Sequence, residues 1–352
     1  MTRKDVIALR LLHHQILSTS FTKPEELISY YGAMQAQDWS MAKWAFGLRL
    51  PHLKENDVDE KLNDGSILRT HMLRPTWHIV SPADIRWIQA LTAHRVLQAN
   101  KSQFKTYNLD TKFLSRTEKF IQKALAGHNY LTREELSTYF GKQKIRTDRL
   151  QMAHIMMNAE LQSLVCSGPR KGKQFTYALI EERVPQVKAI SKDESLKKLT
   201  SIYFNSRGPA TVKDFSWWSG LTLSEARAGV EMVSKDLLKE SIEGEEYFFK
   251  DSPIPDVKGK QSTFLIPDYD EYGISYKDRS FYHHPKWKET ESMTNADYFH
   301  AIAVNGYFGG TWNKKLVKNK VVVEVQPFKS LTLAQMKKVE KAQQMLARFF
   351  KI

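Results

Sequence analysis

Gln35 and Gln37 are the residues of this chain best placed to do chemistry. They form a polar pair inside an apolar and aromatic run, Tyr30-Tyr31-Gly32-Ala33-Met34-Gln35-Ala36-Gln37-Asp38-Trp39. Side chains two residues apart project to one side of an extended backbone. Each amide carries donors and acceptors, so the pair can hold one water molecule or one flipped base. A neutral amide does not take a proton from water at neutral pH, so neither is a general base in the usual sense. Both can orient a water and offer dipoles to a developing positive charge. The plainer alternative is that they bond backbone groups at a helix end. Asp38, the nearest carboxylate, is either a true base for that water or a solvated loop acid.

The charge of the chain bears on its partner. The 352 residues include 53 Lys+Arg against 39 Asp+Glu, a formal net charge of +14. An excess of that size favours an anionic partner, most often nucleic acid. Seven cations, Lys142, Lys144, Arg146, Arg149, Arg170, Lys171 and Lys173, fall in two short runs in which Asp148 is the lone acid. They are the best candidates for phosphate contacts; a solvated charged face is the alternative. The single cysteine, Cys166, excludes internal disulfides and a Cys-based zinc site. Its apolar neighbours Leu164 and Val165 mark it as a buried, inert thiol. Asp268, Asp270 and Glu271 look like a metal cluster. With Tyr269 and Tyr272 interleaved and no histidine at ligand spacing, a hydrogen-bonded corner is expected instead, with no metal and no cofactor. No apolar run approaches the ~18 residues of a membrane span. Arg10, His13 and His14 interrupt any leader-like segment. A cytoplasmic, nucleoid-associated protein without a membrane partner is expected.

These residues need a scaffold, and the pattern predicts an α+β fold of tandem winged-helix units. Thr22-Lys23-Pro24-Glu25-Glu26 is a helix start, and that helix ends near the glutamine pair. Ile67–Met72 and Thr76–Val80 read as two strands broken near Pro75. Helices followed by a hairpin is the winged-helix order. Thr132 with Glu135 forms a capping box, a long helix starts near Thr147, and residues 168–173 turn between two strands. A third copy opens at residues 208–215, continues at Leu221, and returns through Gly244. The resulting division is 1–115, 116–185 and 190–252 for three winged-helix units, 260–330 for a small antiparallel β-domain, and 331–352 for a C-terminal helix.

Four segments together carry a family resemblance. They are Gln35-Ala36-Gln37, residues 69–78 (Arg69 through Arg74-Pro75-Thr76-Trp77-His78), residues 265–272, and residues 305–312 with Asn305-Gly306 and Gly310-Thr311-Trp312. In this order they resemble the AlkZ-like winged-helix proteins, which include bacterial DNA glycosylases acting on alkylated bases and interstrand crosslinks. The resemblance spans nearly the whole chain. It implies a catalytic role for Gln35 and Gln37, with Asp38 beside them, and a concave channel for double-stranded DNA. It also brings Arg74 and His78 forward as contacts to a nucleotide or its phosphate. Where the family often has Arg-Gly-Thr-Leu-His, this chain has Pro75 and Trp77. That departure leaves open a different pocket, a different lesion preference, or a member without glycosylase activity.

Amide chemistry suffices only if the leaving base departs easily. Purines alkylated at N7 or N3 carry a positive charge and are good leaving groups. A monomeric, monofunctional glycosylase for such purines is therefore expected, with a non-enzymatic DNA-binding protein or transcription regulator as the alternative.

Overall fold

The computed structural model describes residues 1–257, 262–284, 300–318 and 320–351. Two compact units emerge, each discontinuous in sequence. The first gathers Met1–Asp59, Lys197–Trp218 and Thr222–Ile352; the second gathers Glu60–Leu196 and Ser219–Leu221. Parts of the expected 260–330 β-domain, at 260–261, 285–299 and 319, lie outside the described residues, as does the last position of the 331–352 helix.

In the first unit, helix Arg3–His13 begins at a capping box between Thr2 and Asp5. Helix Pro24–Tyr31 follows, with proline in its first turn, and stops at Gly32 in the left-handed region, φ +70°. Helix Trp39–Arg49 comes next and has no counterpart in the sequence reading. Its residues are buried on every side, Trp44 and Phe46 completely. It therefore lacks the apolar stripe by which an exposed helix is recognised. What starts it is Asp38, whose Oδ1 accepts the Met41 N–H at 3.0 Å. Gly47 sits inside it because a Cβ there would lie 2.4 Å from the Phe349 ring.

Two cations of this helix are neutralised in the interior. Lys43 Nζ lies 2.6 Å from Glu55 and 2.7 Å from Asp59. Arg49 forms a two-pronged pair with Asp270, at 2.8 and 2.9 Å. Further along, helices Val212–Ser219 and Leu223–Val233 precede an antiparallel hairpin, Leu238–Ile242 with Glu245–Phe249. Thr222 and Glu225 cap the second of these helices reciprocally.

A four-stranded antiparallel sheet completes the unit, in the order Lys320–Pro327, Tyr307–Val317, Ala301–Val304, Thr263–Leu265. Asn305 and Gly306 make its tight turn at φ +51° and +86°, the conformation that Asn-Gly favours. Helix Leu333–Phe349, capped by Thr332 and Gln335, packs Val339, Ala342, Leu346 and Phe349 inward.

In the second unit, strands Leu68–Met72 and Thr76–Val80 pair antiparallel, as the sequence indicates. Helices Ile85–Ala99 and Thr111–Leu125 follow; the sequence reading contains neither, and the latter runs across position 115. Then come strand Leu131–Thr132, helices Arg133–Lys142 and Arg149–Leu161, and strands Val165–Ser167 and Thr176–Leu179. The strand Thr176–Leu179 lies between the other two. The Thr132–Glu135 capping box is present. The long helix starts at Arg149 rather than Thr147, because Asp148 accepts the N–H groups of both Leu150 and Gln151. Ile121, Leu125, Leu136, Phe140, Ile155 and Leu161 are among the side chains that close this core.

Candidate active site

The glutamine segment is held by its backbone. Arg207 Nη1 donates to Tyr31 O at 2.9 Å, and Arg207 Nη2 donates to Ala33 O at 2.7 Å. Gln35 N–H donates to Glu271 Oε1 at 2.8 Å. Arg207 and Glu271 are themselves joined, Nε and Nη2 reaching Glu271 Oε2 at 3.0 and 2.8 Å. The same oxygen accepts Trp218 Nε1–H at 2.9 Å and the Ser275 hydroxyl at 2.8 Å. Arg207 is 0% and Glu271 1% exposed, and the guanidinium lies 4.2 Å from the Trp218 ring centre. A buried ion pair with this many hydrogen bonds is rigid, because breaking any one of them would leave a desolvated polar group.

On this support Gln35 is half-buried and Gln37 is exposed. Asp38 is exposed as well, but its carboxylate caps helix Trp39–Arg49. Past the turn, Ser40 Oγ accepts Lys314 Nζ–H at 2.7 Å. The ammonium lies 3.3 Å from the Phe350 ring centre. Burial lowers the Lys314 pKa to about 8, against the opposing pull of the Glu55 and Asp38 carboxylates.

Sequence reasoning misses three members of this site. Glu271 and Arg207 are the anchors. The third is Asp268, whose pKa is raised, first by burial and further by the Asp38 charge, while His300 opposes the shift. Asp268 accepts the His300 backbone N–H, and His300 Nε2 stands 3.5 Å from its other oxygen. The His300 ring meets Trp312 edge-on at 4.8 Å. The signal is present in residues 265–272, but the acids read there as a corner. The acids do form a hydrogen-bonded corner, Asp270 with Arg49, Glu271 with Arg207 and Asp268 with the His300 backbone; what the spacing leaves out is that Glu271 also holds the glutamine segment.

The remaining expected site residues lie in the second unit. Arg74 is half-buried in the turn between Leu68–Met72 and Thr76–Val80. His78 is fully buried, and its Nδ1 bonds Thr76 O of its own strand at 3.0 Å. The ring is thus not at the surface of the chain. His71 is likewise engaged, its Nδ1 against Glu160. Lys142, Lys144, Arg146 and Arg149 are exposed at and between the ends of helices Arg133–Lys142 and Arg149–Leu161. On the turn, Lys173 is exposed, Arg170 Nη2 bonds Lys173 O at 3.0 Å, and Lys171 pairs with Glu135 at 2.9 Å. Such an exposed pair is worth about 0–1 kcal/mol, so Lys171 exchanges partners easily.

This is a mixed helix–sheet protein with the Gln37 amide and the helix-capping Asp38 carboxylate at the open end of a rigidly held segment. The family described as DNA glycosylase AlkZ-like matches residues 28–349, and the chain belongs to it. It is thus a member of a family of DNA-acting hydrolases. An interstrand DNA cross-link repair glycosylase of Streptomyces sahachiroi is 21% identical over 360 residues, spanning 98% of this chain and 95% of its own. The solved structure of Streptomyces sahachiroi DNA glycosylase AlkZ matches with a TM-score of 0.77 at 21% identity, over 99% of this chain and 96% of that chain. At that identity the second likeness speaks to the fold. No helix among the described residues is long and apolar enough to cross a membrane.

Proposed function

We propose that the chain hydrolyses the N-glycosidic bond of cationic, N7- or N3-alkylated purines in duplex DNA. The product is an abasic site in an uncut strand. The observation that carries this reading is Gln37, an exposed amide on a backbone held through Gln35 N–H by buried Glu271. Gln35 and Gln37 place the attacking water and direct dipoles at the sugar as it becomes positive. Asp38 serves this arrangement by starting the next helix. The relative named for interstrand cross-link repair extends the reading to cross-linked purines.

Residues 1–115, 116–185 and 190–252 are read as three winged-helix units, ahead of a β-domain at 260–330 and a terminal helix at 331–352. Arg74, Lys142, Lys144, Arg146, Arg149, Arg170, Lys171 and Lys173 are read as the phosphate grip of a monomer acting at the nucleoid.

The test is lesion charge. Duplexes carrying one 7-methylguanine, one uracil or one 8-oxoguanine are incubated with the chain and read with and without alkali. Only the 7-methylguanine strand is expected to break, and only after alkali. Uracil release at a comparable rate would reveal a stronger acid or base and end the amide mechanism. Breakage without alkali would end the monofunctional one.

The grip has its own test. Phosphate contacts act through counterion release. Replacing Lys142, Lys144 and Arg146 together by glutamine is expected to weaken binding to damaged and undamaged duplex alike. The slope of log affinity against log salt is expected to flatten by roughly 0.9 for each phosphate no longer neutralised. An unchanged slope would make these residues a solvated face.

A further inference from the structure

The second unit holds a cavity of about 400 Å³ whose lining includes neither glutamine. Four cationic side chains line it, Arg69, Arg133, Arg149 and Lys173, against two carboxylates, Glu134 and Glu160. Glu160 bonds His71 Nδ1 and its charge also acts on Arg69. Arg69 is buried, its guanidinium 4.3 Å from the ring centres of both Trp77 and Phe175. Two aromatic faces at that distance hold a cation in place. Burial lowers the Arg69 pKa to about 10 while Glu160 raises it, so the group is still charged at neutral pH. Arg133, at the first position of helix Arg133–Lys142, is fixed through the Tyr177 side chain.

A concave site with a surplus of guanidinium groups calls for an anion. Guanidinium forks match phosphate oxygens in pairs. The volume falls in the range of small-molecule pockets and exceeds what a bare ion needs. We propose that this cavity is a recognition site for a phosphate ester, in which Arg69, Arg133, Arg149 and Lys173 hold the phosphoryl group. Trp77, one of the two departures from the family pattern, belongs to its wall. The phosphate comes either from a free nucleotide or from a DNA strand. Neither glutamine lines the cavity, so failure of the amide mechanism would leave it standing, whereas the strand source rests on the reading that the chain grips duplex DNA through Arg149 and Lys173.

Calorimetry on the full chain decides, with 2′-deoxyadenosine 5′-monophosphate, deoxyadenosine and inorganic phosphate as titrants. Duplex affinity by anisotropy is measured in parallel. The monophosphate is expected to bind at one site, and the nucleoside about tenfold more weakly or worse, the scale of charge-assisted hydrogen bonds. Arg133→Gln is expected to weaken the monophosphate about tenfold or more. Lys173→Gln, exposed on the turn, repeats the test without touching the Tyr177 contact. Lys123→Gln, on helix Thr111–Leu125 and outside the cavity, removes the same charge and is expected to change nothing.

If the phosphate belongs to a strand, Arg133→Gln also weakens duplex binding and the monophosphate competes with duplex. If it belongs to a free nucleotide, duplex binding is unmoved by Arg133→Gln, whose side chain is not part of the phosphate grip. The proposal is overturned if the monophosphate fails to bind and duplex affinity is indifferent to Arg133→Gln. It is equally overturned if Arg133→Gln and Lys123→Gln behave alike.

Discussion

Gln37→Ala is expected to slow release of 7-methylguanine by about one to three orders of magnitude, the range seen when a preorganised polar group is lost from an active site. Gln35→Ala is expected to fall in the same range. The backbone of the segment is held at Tyr31 O, Ala33 O and Gln35 N–H, and both truncations leave these three supports in place. Duplex affinity should therefore stay near wild type, and single-turnover excision at saturating protein isolates the chemistry. Asp38→Asn is the matched control. Asparagine caps helices about as well as aspartate, so helix Trp39–Arg49 keeps its start. A larger loss in Asp38→Asn than in Gln37→Ala would transfer the chemistry to the acid. Wild-type rates in both glutamine variants would remove the pair from the mechanism.

Glu271→Ala is expected to destabilise the first unit by about 3–5 kcal/mol, the cost of leaving one partner of a buried ion pair alone. It strands the Arg207 guanidinium, the Trp218 Nε1–H and the Gln35 N–H together. Urea unfolding measures the loss. Glu271→Gln keeps the shape and one acceptor oxygen, so it should unfold at a higher urea concentration than the alanine variant. Its Gln35 N–H no longer meets a charged acceptor, and excision should drop by about tenfold with duplex binding intact. If Glu271→Ala unfolds within about 1 kcal/mol of wild type, the side chain is not the keystone its contacts describe.

Sequence alone carries the elements that obey local rules. Thr132 with Glu135 acts through neighbours three residues apart and appears where the sequence places it; Thr222 with Glu225 and the turn at Asn305-Gly306 obey equally local rules. Helices Trp39–Arg49 and Ile85–Ala99 escape a sequence reading because burial around most of their circumference erases the amphipathic period. The site divides in the same way. The glutamine pair is contiguous and can be seen. Its supports are Arg207 and Glu271, chemically ordinary residues whose meaning comes from pairing with chain hundreds of positions away. Asp268 and Glu271 sit inside a recognised segment, yet nothing in their spacing distinguishes an anchor from a loop acid.

Gln35 and its carboxylate anchor are 236 positions apart, and Arg49 and Asp270 are 221 apart. A ribosome adding about 5–20 residues per second therefore exposes the glutamine segment long before its clamp exists. Through that interval Arg49 belongs to a helix whose interior has not closed, whereas Lys43 already has Glu55 and Asp59. The competent geometry is a late event in synthesis, set by the emergence of residues 268–275, and a nascent chain halted before them carries the glutamines without the machinery. Loop closure over such separations is slow relative to local helix formation, so base excision should appear only after residues 268–275 have emerged and docked.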